Sequence, residues 1–158
     1  VVLWENFLEE LFLRCMCTAK TRNGNLINPK GVPCANINSA YTRLSMHGNA
    51  RDKEYLDWLT HANIAKRMND YFRSNSRLGK ILADTGLLDD AKVFRNSVAH
   101  RSISSLEKTR RRARTRLGLI SPNASVAELI ISRDLSTNTT FYKTVSSYFQ
   151  DTAEIVTR

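Results

Sequence analysis

What the 158 residues lack narrows the possibilities first. No stretch approaches the roughly 18 to 20 unbroken apolar residues of a membrane-spanning helix, and Glu5, Glu9 and Glu10 interrupt the apolar N-terminal segment. The expectation is a cytoplasmic protein with no membrane attachment. Cysteine is scarce: Cys15, Cys17 and Cys34 show no paired zinc-ligand spacing, so buried or half-buried thiols in a reducing compartment are expected. A zinc site would need those three and His47 to converge, which their spacing does not encourage. Prolines number only three, and there is no glycine-rich phosphate loop, internal repeat or low-complexity tract. Acidic residues never cluster as they do where magnesium serves a two-metal nuclease. No metal and no cofactor are expected.

What is present is helical periodicity. Leu3, Trp4, Phe7, Leu8, Leu11, Phe12, Cys15 and Met16 recur at the three-and-four spacing of a helix over Val1 to Ala19. A loop rich in turn signals follows from Thr21 to Pro33. Asn36 to His47 reads as a weaker helix stopped by Gly48-Asn49. Asp52 to Phe72 reads as a helix with a break near Thr60, and Leu78 to Ala83 as a short one ended around Gly86. Leu87 to Ser102 carries Leu87, Leu88, Ala91, Phe94 and Val98 on one side. Ser105 to Arg116 reads either as a polar helix capped by Ser104 or Ser105 or as a solvated arm. Ser125-Val126-Ala127-Glu128 has the form of a capping box, with a short extended segment as the alternative. Thr140 to Val156 closes the chain with Phe141, Val145, Tyr148, Phe149, Ala153 and Val156 at helical spacing. With no clear strand pattern, the fold class is all-α: an up-and-down bundle of four to five helices forming one domain over 1–158. The chain opens without methionine inside one helical pattern and stops inside another, so its ends are expected to be trimmed or to continue into a longer protein.

The charge is uneven. Of the net +9, residues 91–116 hold +8, with nine basic side chains against Glu107 alone, which favours a polyanionic partner. The same region contains Arg95-Asn96-Ser97-Val98-Ala99-His100. Five residues on a helix turn through about 140° beyond one full circle, so Arg95 and His100 do not share a face. Lys92, Asn96 and His100 do, at successive i, i+4 steps, which lets Asn96 orient the imidazole while Arg95 reaches round from beside it. An imidazole can take a proton from a ribose 2′-hydroxyl or give one to a leaving 5′-oxygen, and a guanidinium can hold the phosphate while charge builds on it. That is metal-independent transesterification of RNA. The competing reading of an isolated Arg-x4-His is a helix-end histidine that only caps carbonyls. His47 and His61 read as surface or packing residues.

Arg-Asn-x-x-Ala-His near the end of a helix in an all-α domain resembles the signature of the HEPN superfamily, whose active members carry Arg-x4-6-His with a polar residue after the arginine. Leu3-Trp4-Glu5-Asn6-Phe7-Leu8-Glu9-Glu10-Leu11 is similar to the first helix of HEPN proteins among bacterial toxins and phage-defence ribonucleases. The resemblance implies Arg95 and His100 as a catalytic pair, Asn96 as polar helper and Glu5 as a supporting first-helix acid, while the shared helix face adds Lys92 as a supporting residue. It also implies a homodimer whose two Arg/His pairs meet in one cleft, and an antitoxin or regulatory protein as a further partner. Ser102 stands where nucleotidyltransferase-regulated relatives have tyrosine, so regulation by tyrosine modification is not implied. Arg101, Lys108, Arg110, Arg111, Arg112, Arg114 and Arg116 would hold RNA backbone. The run has no aromatic residue for base stacking, so this binding should be weakly selective. Two alternatives remain: a HEPN-type dimerisation or RNA-binding domain that does not cut, and a helical DNA-binding module using the basic run.

Overall fold

The computed structural model describes residues 1–45, 58–73, 76–100, 102–118, 120–135 and 137–158, and the chain is mostly helical. Among these residues are seven α-helices: α1 Val2–Met16, α2 Ile37–Ser45, α3 His61–Tyr71, α4 Thr85–His100, α5 Ile103–Leu117, α6 Val126–Ile131 and α7 Phe141–Thr157. A 3-10 helix covers Arg77–Leu82. One strand pair departs from the expected loop: β1 (Ala19–Lys20) and β2 (Leu26–Ile27) run antiparallel, with Ala19 opposite Ile27. Two-residue strands are too short to show an alternating pattern. The turn instead closes through Thr21, which donates its N–H to the Asn25 carbonyl at 2.8 Å, with Gly24 at φ 79°. His47, Gly48-Asn49 and the expected helical stretch 52–57 lie outside the described residues. None of the described helices is long and apolar enough to cross a membrane.

The chain forms two compact units, one of Val2–Ala83 with Thr152–Arg158, the other of Asp84–Asp151 with Val1. In the first, α1 buries Trp4, Leu8, Phe12, Leu13, Cys15 and Met16. Phe12 packs against Trp58 and Phe72 at ring separations of 4.7 and 5.5 Å. Trp58 and Leu59 are buried outside any helix, and Thr60 is the N-cap of α3, which begins at the position where a break was expected. The Trp58 indole donates to Glu9 at 3.0 Å, and the Arg67 guanidinium lies 4.4 Å over its ring. Cys15 and Cys34 are buried free thiols and Cys17 is half-buried. Burial alone pushes the Cys15 thiol up to about 12.

In the second unit the core is built from α4, α5, α6 and the first part of α7. Leu87, Ala91 and Phe94 of α4 meet Ala113 and Leu117 of α5, Leu129 of α6, and Phe141 and Val145 of α7. Phe94 stacks on Phe141 at 4.4 Å. Val98, expected on this apolar side, is 54% exposed because the stripe runs off the core in the last turn. Gly86, expected to end the preceding helix, instead sits in the first turn of α4. Asp84 accepts from the Leu87 N–H at 2.8 Å and supplies the cap there. Of the two readings for 125–131 the helix is observed, with both capping-box bonds between Ser125 and Glu128.

Candidate active site

The motif forms the last two turns of α4, and α5 begins directly after it. Ser102 is the N-cap of α5 and accepts from the Ser105 N–H at 3.1 Å. The polar stretch after the motif is therefore a helix, capped two or three positions earlier than its serines suggested. Inside the motif, Ser97 is buried, 2% exposed. Its hydroxyl donates to the Ser105 carbonyl at 2.7 Å and meets the Thr109 hydroxyl at 2.5 Å. This buried knot locks α4 to α5 and fixes the orientation of the neighbouring motif residues.

Arg95 and Asn96 are half-buried and His100 is exposed at the helix end. Arg95 Nη1 donates to Asn96 Oδ1 at 3.0 Å. The long arginine thus reaches round to the face that Asn96 shares with His100, as the spacing had suggested it could. The expected role of Asn96 in orienting the imidazole differs in detail: its carboxamide oxygen is engaged by Arg95, and no Asn96–His100 hydrogen bond is found among the described residues. Lys92 is half-buried two turns before His100, and Glu5 is buried in α1 of the other unit. Among the described residues no group of three or more His, Cys, Asp or Glu gathers as a metal site would require.

The basic run separates into two sets. Lys108, Arg111 and Arg114 are exposed on α5. Arg110 and Arg116, expected to contact RNA, are instead turned into the fold. Arg110 donates from Nε and Nη2 to the Ala124 carbonyl at 3.3 and 3.1 Å. Arg116, with 19% of its side chain exposed, bridges Asp90, which accepts from its Nε, and Asp134, whose Oδ2 lies 3.1 Å from Nη1. Arg112 is half-exposed, 3.5 Å from the other Asp90 oxygen. Arg101 lies outside the described residues.

Burial raises the Asp90 carboxyl above its ordinary value, while the Arg116 hydrogen bond and both guanidinium charges pull it down. The Arg116 guanidinium is held further up by its two carboxylates, against the opposing effect of burial. This triad had a sequence signal that went unread. Asp90 falls on the apolar stripe between Leu87 and Phe94, where an acid needs a buried partner. Family models, curated proteins and solved structures all yield no significant match to the chain.

Proposed function

We propose that this chain is a metal-independent endoribonuclease of HEPN type, acting as a toxin or phage-defence effector on cellular RNA. One observation carries the reading: the Arg95 guanidinium is held on Asn96, one helical turn from an exposed His100. His100 takes the proton of a ribose 2′-hydroxyl and the freed oxygen attacks phosphorus. Arg95 holds the non-bridging oxygens as charge accumulates, and the bond from phosphorus to the 5′-oxygen breaks. That oxygen leaves with a proton from a second imidazole, the His100 of another copy in a homodimer whose two pairs face one phosphodiester. The products are a 2′,3′-cyclic phosphate and a 5′-hydroxyl. Lys108, Arg111 and Arg114 attract and hold backbone phosphates. A regulatory protein partner such as an antitoxin fits this role.

The test uses total RNA in EDTA. General acid–base groups contribute roughly 10²–10⁴-fold, so His100→Ala or Arg95→Ala should remove cleavage while the circular dichroism spectrum and melting temperature stay near the parent's. Cleavage persisting in both variants would falsify the assignment. A second reading, RNA binding without cleavage, is favoured by the exposed cations of α5, which need no chemistry to act. It predicts salt-dependent binding of RNA that stays intact.

A further inference from the structure

The first unit has a basic surface that the charge distribution along the chain did not suggest. Two depressions, of about 270 and 710 Å³, both use Ser76 and Arg77 in their walls. Arg73 and Arg77 line the smaller; Arg77, Lys80 and Arg158 line the larger; among the described residues no acid lines either. Arg158, just beyond α7, is paired with Glu154 of that helix, whereas Arg73, Arg77 and Lys80 are exposed and make no ion pair among the described residues.

The walls are tied together. The hairpin turn joins the end of α7 through Arg22 N–H to Thr157 O at 2.7 Å and Asn23 N–H to Arg158 O at 3.1 Å. The segment after β2 joins the chain leaving α3 through Lys30 N–H to Tyr71 O at 2.6 Å and a bridge between Pro29 and Phe72. Such ties join the hairpin turn, the end of α7 and the chain leaving α3, so this part of the backbone frame is set before a ligand arrives. Arg77 and Lys80 stand three residues apart on a 3-10 helix, where side chains at i and i+3 eclipse with a rise of about 6 Å. That matches the scale on which phosphates follow one another along a strand. Between them Gly79 leaves open space, with nothing within 4 Å of where a Cβ would stand, so a backbone can approach closely.

We infer that these depressions form a binding groove for the phosphodiester backbone of single-stranded RNA. Arg73, Arg77 and Lys80 contact successive phosphates, and the Asn25 and Asn28 amides in the smaller depression offer hydrogen bonds to sugar or base edges. With no aromatic residue in either lining among the described residues, the groove grips a strand without stacking its bases and discriminates little among sequences. The choice of RNA as the strand rests on the ribonuclease reading; the phosphate recognition does not.

The test is fluorescence anisotropy of an end-labelled oligouridylate with the His100→Ala protein in EDTA, over a range of salt. Adding Arg77→Glu and Lys80→Glu should weaken binding roughly tenfold or more and reduce the slope of log affinity against log salt by about two. Gly79→Leu, which fills the open floor without changing charge, should also weaken binding, whereas Arg77→Lys with Lys80→Arg should preserve it. Unchanged affinity and slope in the charge-reversed protein, or loss only on Lys108→Glu, overturns the groove. Tighter binding of duplex DNA than of the oligouridylate overturns its assignment to single strands. Loss of binding in the charge-reversed protein, together with no cleavage of total RNA by the parent, keeps the groove and removes the ribonuclease reading. Cleavage that needs His100, with binding indifferent to Arg77 and Lys80, does the reverse.

Discussion

Arg116 and Arg77 carry the same guanidinium into opposite settings. Arg116 belongs to the densest basic run in the chain, yet it bridges two buried aspartates inside the second unit. Arg77 belongs to a stretch whose charge is unremarkable, yet it is exposed in the walls of two depressions that no acid lines among the described residues. Charge density along a sequence is therefore a poor guide to charge available for a ligand. A cation near buried carboxylates compensates their desolvation, and a cation without such neighbours keeps its field for solution.

The contrast can be broken most directly at Arg116. Arg116→Ala strands Asp90 and Asp134 without their common partner and should cost about 3 kcal/mol of stability by urea denaturation. Arg77→Ala on the open surface should change stability by less than about 0.5 kcal/mol. Equal costs would erase the distinction between the two sites. The Arg116→Ala penalty should also narrow in acid. Asp90 has a folded-state pKa above the ordinary 3.8, so the folded protein takes up its proton first as pH falls. Losing the guanidinium removes the hydrogen bond and charge that lower the Asp90 value, so the stranded carboxylate is protonated at a higher pH than in the parent. The penalty therefore narrows as pH falls towards the parent's own raised value. A penalty that stays constant through this window argues against Asp90 as the compensated group.

The knot between α4 and α5 allows a smaller test. Ser97→Ala deprives the buried Thr109 hydroxyl and the Ser105 carbonyl of a partner and should cost about 1–2 kcal/mol. If the proposed ribonuclease reading holds, a fall in RNA cleavage would then reflect misplacement of Arg95 and His100 rather than lost chemistry. It should therefore be milder than that of His100→Ala. The capping box of α6 should give the smallest effect. The backbone and side-chain hydrogen bonds from Ser125 hold the Glu128 carboxyl below its ordinary value. Its contribution is present above the unfolded carboxyl value and disappears as pH falls through the lower folded one. Glu128→Gln should flatten that acidic part of the stability curve without affecting RNA binding.

Much of the fold was legible because helix periodicity is a local property. Leu3 to Met16, Leu87 to Phe94 and Phe141 to Val156 each display an apolar face, and each is helical. The capping form of Ser125 to Glu128 was visible beside an extended alternative, and the helix is what is observed. The two-residue strands were not legible, since Ala19–Lys20 and Leu26–Ile27 have no pattern of their own. Gly86 misled because a glycine is punctuation at a helix end but tolerable in a first turn that Asp84 caps. Of the candidate site, the order of Lys92, Asn96 and His100 along one helix face followed from spacing. The burial of Ser97 and the turning of Arg110 and Arg116 into the fold did not, because each depends on a residue distant in sequence.

By itself, then, the sequence determined the helices, their apolar faces and the placing of a histidine and an arginine near one helix end, because backbone geometry repeats every few residues. Only the tertiary structure decided which cations remain open to a ligand. Burial and ion pairing are set by neighbours such as Asp134 and the Ala124 carbonyl, which local periodicity does not encode.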